Sequence, residues 1–141
     1  MSNDPAESRA FRVLVVEDNP HVSEIFRYAF KRIVVERLAK DTDVRVEEAN
    51  DGHQAWQLLE SSVEEGAVFD LVVLDLMLPI LDGNEVLARI RRTEGLKSIP
   101  VLVITAGDHE TVSEAKSNGA TAVLRKPVQF KEIREIVGQV L

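Results

Sequence analysis

Residues 70–83 read DLVVLDLMLPILDG, an apolar run from Leu71 to Leu74 that ends on a carboxylate, Asp75, and is followed by more apolar residues. A run that is apolar throughout fits a short strand covered on both faces. A lone carboxylate at the end of such a strand is costly unless it is paired, hydrogen-bonded or metal-bound. The residues that reach the same place therefore decide what Asp75 does.

RVLVV (12–16), VRVEEA (44–49), VLVIT (101–105) and AVLRK (122–126) join LVVLD (71–75) as five expected strands, the second being the most polar and suited to a sheet edge. Amphipathic stretches alternate with them. The first begins at NPHVSEIF, where Asn19 is placed to cap a helix and Pro20 to open it. Val22, Ile25, Phe26, Ala29, Phe30 and Ile33 follow helical spacing, and Val34, Val35 and Leu38 extend it. Further helices are expected near 53–62, 84–94, 109–118 and 129–140, with Gly119 stopping the fourth. Residues 1–10 read as a disordered leader and 11–141 as one domain. Strand–helix alternation with right-handed crossovers gives an α/β fold, a doubly wound five-stranded parallel sheet with helices on both faces.

At 141 residues and 45% hydrophobic content the chain fits a single globular domain. A formal net charge of −7 argues against nucleic acid or an anionic membrane as a direct partner. Arg89, Arg91 and Arg92 fall on one expected helix and read as a solvated face. The chain has no cysteine, no apolar signal-peptide core and no run long enough to span a bilayer, so a cytoplasmic protein is expected.

In sheets of this kind ligands sit outside the carboxyl ends of the strands, where strand order reverses. Glu17 and Asp18 follow the first strand, Asp75 ends the third, Thr105 the fourth and Lys126 the fifth, so these residues meet at one mouth. Acids gathered there repel one another unless cations lie nearby, and Lys126 and a divalent metal would supply them. Hard oxygen donors without histidine or cysteine suit Mg²⁺, with Mn²⁺ as an alternative, and Mg²⁺ held by few carboxylates points to phosphoryl chemistry. A carboxylate can itself be the nucleophile and form an acyl phosphate. Taken singly, Glu17 and Asp18 read as a helix entry, Thr105 as a strand residue and Lys126 as a surface lysine. Their joint occurrence at the strand ends favours a site. His21, His53 and His109 are scattered and read as surface or capping residues, and Trp56 as core packing.

VLVVEDNP, LVVLDLMLPILDG, IPVLVITA and NGATAVLRKP, in this order and spacing, make the chain from Arg12 to Leu141 similar to a response-regulator receiver domain, the phosphoacceptor half of two-component signalling. The resemblance implies the flavodoxin-like strand order 2-1-3-4-5. It also implies that Asp75 accepts a phosphoryl group from a histidine kinase or a phosphotransfer protein. Asp18 and Asp75 would hold Mg²⁺ directly, Glu17 through water, and the Met77 carbonyl would add a ligand. Lys126 would pair with one phosphoryl oxygen, while the Thr105 hydroxyl and the Ala106 N–H hold another. A cis Lys126–Pro127 bond is implied, and Pro79 and Gly83 match the turn after the acceptor strand. Such a chain is a signalling domain with self-phosphorylation and self-dephosphorylation chemistry only, not an enzyme. Its output face, formed by the fourth helix, fifth strand and fifth helix, would meet a downstream protein that the sequence does not identify, or a second copy in a homodimer.

Several features depart from that pattern. Val123 stands where the family usually has a tyrosine or phenylalanine that swings inward when the threonine engages phosphate. Met77 and Gly107 lie two residues beyond Asp75 and Thr105, where many members have polar groups that influence the attacking water. An apolar Met77 would hinder that water, whereas the opening left by Gly107 would admit it. The long first helix, the loop KDTD and the stretch GLKSIPVLVIT resemble single-domain regulators partnered with bacterial phytochromes, and the extension bears on partner choice. The competing reading is a pseudo-receiver, an interaction module without phosphorylation, favoured by the missing aromatic. A haloacid-dehalogenase-like phosphatase needs an acid where Met77 stands. An FMN-binding protein of this fold needs a serine- and threonine-rich cradle where this chain has EDNPHV.

Overall fold

A computed structural model describes residues 10–37 and 43–140; most of the expected leader, Leu38 and most of the KDTD loop lie outside the described residues. The strands are β1 (Phe11–Val16), β2 (Val44–Ala49), β3 (Leu71–Asp75), β4 (Val101–Thr105) and β5 (Ala122–Arg125). All pair in parallel in the order β2-β1-β3-β4-β5, as the family resemblance implied. The helices between and after them are α1 (Pro20–Arg37), α2 (Gly52–Glu64), α3 (Gly83–Arg92), α4 (His109–Ser117) and α5 (Phe130–Val140).

The apolar runs follow from a sheet covered on both sides. Val13 and Val15 of β1, Leu71 and Val73 of β3, and Leu102 and Ile104 of β4 pack with Phe26, Phe30 and Ile33 of α1 and Ile133 and Val137 of α5. The alternate residues Leu14, Val16, Val72, Leu74, Val101 and Val103 pack with Leu59 of α2, Val86, Leu87 and Ile90 of α3, and Ala115 of α4. Both sets are buried, so β3 and β4 show no polar alternation. The polar β2 is an edge strand, with only Ala49 fully buried.

Local signals set the helix ends. The Asn19 side chain accepts the His21 N–H at 2.9 Å at the start of α1, and Asp51, Asp82 and Asp108 accept N–H groups in the first turns of α2, α3 and α4. Gly119, at φ 102, follows α4 and releases the chain toward β5. Trp56 is half-buried against the core with the Arg89 guanidinium 5.7 Å from its ring. His21, His53 and His109 are exposed.

The arginine cluster is not one solvated face. Arg89 and Arg92 pair with Glu85, but Arg91 turns inward and donates to the carbonyls of Gly119 at 2.8 Å, Ile99 at 2.7 Å and Lys97 at 3.0 Å. It ties the end of α3 to the segments before β4 and β5, and burial holds its guanidinium below the ordinary pKa. Arg91→Met leaves these carbonyls without their donor and is expected to cost about 2 kcal/mol in urea unfolding, whereas Arg92→Met stays within about 0.5 kcal/mol.

Candidate functional site

The helix after β1 covers one face of the sheet and the helix after β3 covers the other, so a crevice opens where the carboxyl ends of these neighbouring strands part. One carboxylate oxygen from each of Glu17, Asp18 and Asp75 comes there, the three lying within 4.8 Å of one another. Glu17 and Asp75 are buried at 1% and 2% exposure, and Asp18 faces solvent. The Lys126 backbone N–H bonds to the Thr105 carbonyl at 2.9 Å just past β5, and its side chain reaches across the mouth. Its Nζ donates to Asp75 Oδ2 at 3.0 Å and lies 3.1 Å from Glu17 Oε1. The Lys126–Pro127 peptide is cis.

Asp75 has a hydrogen-bond partner on each oxygen, whereas Glu17 has an aligned one on only one oxygen among the described residues. Asp75 Oδ1 accepts the Met77 N–H at 3.0 Å, and Glu17 Oε2 accepts the Asn19 N–H at 3.1 Å. Glu17 Oε1 is ion-paired with Lys126 but has no aligned hydrogen-bond donor among the described residues. Burial pushes the Glu17 carboxyl up to about 7; the Asn19 N–H and Lys126 oppose the shift and the Asp75 charge adds to it. Burial works against the Lys126 ammonium, yet its contacts with Asp75 and Glu17 raise its pKa above the ordinary lysine value. A hard divalent cation fits this donor set. It would meet clustered carboxylates, a buried oxygen without an aligned hydrogen bond among the described residues and, in Asp18, a ligand open to solvent.

Two glycines hold the loop beyond Asp75 in place. A Cβ on Gly83 would lie 2.5 Å from the Asp75 carbonyl oxygen and 2.6 Å from Leu76 Cα, and one on Gly52 would lie 2.0 Å from the Leu81 carbonyl oxygen. The starts of α3 and α2 are thereby pressed against this loop. Leu78 and Leu81 pack on the core, while Met77 and Ile80 point outward at 72% and 82% exposure. Ile80 has φ 70, the only positive value on a non-glycine among the described residues, and the Leu81 N–H to Pro79 carbonyl bond of 2.8 Å closes a γ-turn around it. The sequence carries no signal for this strained isoleucine, because asparagine or glycine is the usual occupant of such a conformation.

Thr105 is fully buried at the end of β4, and Ala106 beside it is exposed. The Thr105 hydroxyl oxygen accepts the Gly107 N–H at 3.0 Å. The expected opening at Gly107 is absent, because a Cβ there would meet Thr111 Cβ, Cγ2 and Oγ1 at 2.7 Å. Thr111 fills the space from the first turn of α4, where a threonine three residues after the Asp108 cap is the signal that sequence reading missed. Val123 is half-buried against the core on the side of α2, α3 and α4.

The arrangement has known counterparts. A family model described as the response regulator receiver domain matches residues 13–138. The chain belongs to the response-regulator receiver family. Receiver domains of two-component systems take phosphate from histidine kinases. This receiver is 34% identical over 134 residues to the probable methanogenesis regulatory protein FilR2 of Methanothrix harundinacea, covering 92% of this chain and 81% of FilR2. Several other curated relatives are longer, and the chain spans between 14% and 58% of their lengths. Among solved structures, the Mn²⁺-bound form of response regulator Rcp1 is 28% identical with a TM-score of 0.72, over 92% of this chain and 90% of that one. The receiver domain of sensor histidine kinase PA1611 from Pseudomonas aeruginosa PAO1, with a magnesium ion in its active site cleft, is 25% identical with a TM-score of 0.74, over 92% and 96%. Related receiver domains thus bind Mg²⁺ or Mn²⁺ in the active site. No helix among the described residues of this receiver is long and apolar enough to cross a membrane.

Proposed function

We propose that this receiver is a phosphorylation-dependent signalling domain that accepts a phosphoryl group on Asp75 from a histidine kinase or phosphotransfer protein. The observation that carries the reading is Lys126, held 3.0 Å from Asp75 and 3.1 Å from Glu17 at the mouth of an acid cluster. A carboxylate oxygen of Asp75 forms the new bond to phosphorus as the phosphorus–nitrogen bond of the donor phosphohistidine breaks and the freed imidazole keeps the electron pair. Mg²⁺ held by Asp18, Asp75 and the Met77 carbonyl, with Glu17 behind it through water, would offset the negative charge that otherwise repels the donor. Lys126 is positioned to follow a phosphoryl oxygen without leaving the mouth. The Thr105 hydroxyl and the Ala106 N–H supply donors on the β4 side. Self-dephosphorylation resets the domain, and no external substrate is turned over.

Acetyl phosphate with Mg²⁺ tests this by intact-mass measurement. One labile phosphoryl group is expected on the parent chain and none on Asp75→Asn or when a chelator precedes the donor. Full labelling of Asp75→Asn removes Asp75 as acceptor. An unlabelled parent under the same conditions supports the pseudo-receiver reading, for which the small side chain at Val123 is the motivating observation.

A further inference from the structure

α1 and α5 pack on the same face of the sheet, and on their outer side Tyr28, Arg32, Phe130 and Arg134 line a cleft of about 270 Å³. Each arginine is set against a ring. The Arg32 guanidinium donates to the Tyr28 hydroxyl at 3.0 Å, and the Arg134 guanidinium lies 5.8 Å from the centre of the Phe130 ring. Both arginines then converge on Glu36. Arg32 Nε is 3.5 Å from Oε1 and Arg134 Nη2 donates to Oε2, so each oxygen of one carboxylate faces a guanidinium from a different helix. Arg134, with Arg32 behind it, holds the Glu36 carboxyl below its ordinary pKa. Two positive charges thus meet one negative charge, in a chain whose formal net charge is −7. None of these residues belongs to the acid cluster around Asp75.

We propose that the cleft between α1 and α5 is a second binding site, which takes a nucleoside phosphate. Glu36 marks the place of the phosphate, because it shows that the two guanidiniums converge on a single anion. A phosphate offers the same oxygen acceptors with more charge. Exposed ion pairs are individually weak, so the Glu36 carboxylate yields to a dianion. Tyr28 and Phe130 supply ring surface against which a base stacks. An aliphatic anion would leave the rings unused, and an uncharged aromatic would leave both arginines to Glu36. The volume is at the low end for a small-molecule site and suits one nucleotide, not a larger cofactor. Such a site gives the receiver an input that needs no phosphoryl transfer at Asp75.

The test is titration calorimetry on the whole chain at low salt, with adenosine monophosphate and guanosine monophosphate as probes. A chelator is present so that no metal draws phosphate to the acid mouth. At least one nucleotide is expected to bind with a dissociation constant below about 1 mM. Inorganic phosphate, adenosine and phenyl phosphate each lack the base or the phosphate, and should bind at least about tenfold more weakly. Tyr28 is the only tyrosine of the chain, so its ring resonances report on this cleft alone and should shift as the nucleotide is added. Arg32→Gln and Arg134→Gln should each weaken binding by about tenfold or more, while Arg92→Gln, on the far side of the sheet, should leave it unchanged. Glu36→Gln removes the internal competitor and should tighten binding. Circular dichroism checks the fold of each variant, and the tyrosine signal decides the case without any variant. The site is overturned if neither nucleotide binds, if the Tyr28 resonances stay still, or if phenyl phosphate or inorganic phosphate binds as tightly as the nucleotide. Undiminished binding in both arginine variants, or weaker binding in Glu36→Gln, overturns it as well. None of these outcomes depends on whether Asp75 accepts a phosphoryl group.

Discussion

Glu17→Gln is expected to raise the melting temperature of the metal-free protein at pH near 8, and the gain should vanish below about pH 4.5. Glu17 is buried, with a second carboxylate beside it and, on one oxygen, an ion pair to Lys126 in place of an aligned hydrogen bond among the described residues, and its pKa stands at about 7 against an ordinary 4.5. An acid with a raised native pKa holds its proton more tightly when folded. Below pH 4.5 both states are protonated and nothing differs; between 4.5 and about 7 native stability falls as pH rises; above about 7 the loss is complete. The full span corresponds to about 3 kcal/mol at most. Glutamine keeps the shape, never ionises, and has an amide that can donate toward Asp75. Mg²⁺ should act the opposite way, stabilising the parent at high pH far more than the variant, because it compensates the charge that glutamine has already removed. Thermal melts by circular dichroism across this pH range, in chelator and in Mg²⁺, measure both effects. Superimposable profiles for the two proteins would show that Glu17 carries no unfavourable charge.

The acid cluster and its lysine were legible in the sequence for a physical reason. Glu17, Asp18, Asp75, Thr105 and Lys126 each lie at or just past the carboxyl end of a strand, and parallel pairing brings such ends together whatever the loops do. The five strands were legible because a sheet covered on both faces leaves continuous apolar runs. What escaped was decided by packing between elements far apart in the chain. Arg91 looks like its neighbours Arg89 and Arg92 until the carbonyls of Gly119 and Ile99 are brought beside it. Gly107 looks like an opening until α4 returns Thr111 to fill it. Ile80 gives no hint of its γ-turn, because that strain follows from seating Leu78 and Leu81 in the core on either side. In each case the local sequence gives the residue's chemistry and the tertiary neighbour gives its role.

Gly83 is where a backbone requirement meets the reacting group, and Gly83→Ala should damage stability and phosphorylation together. The added methyl would meet the Asp75 carbonyl oxygen at 2.5 Å and Leu76 Cα at 2.6 Å. Both are backbone atoms, so no side chain can rotate away; the start of α3 and the end of β3 must part. Forced separation of this kind costs about 3 kcal/mol. Because the shifted segment includes Asp75, the hydrogen bond from Met77 N–H to Asp75 Oδ1 and the contact with Lys126 are disturbed with it. Labelling by acetyl phosphate should therefore slow even at temperatures where the variant remains folded. Gly66→Ala supplies the contrast. Gly66 has φ 70 but nothing within 4 Å of an added Cβ, so alanine there meets conformational strain alone, about 1 kcal/mol. Its labelling rate should match that of the parent. Urea unfolding and the time course of intact-mass labelling read the two quantities separately. If both variants lose stability and both label normally, the close approach at Gly83 matters to folding alone, and Asp75 is positioned by its strand without help from α3.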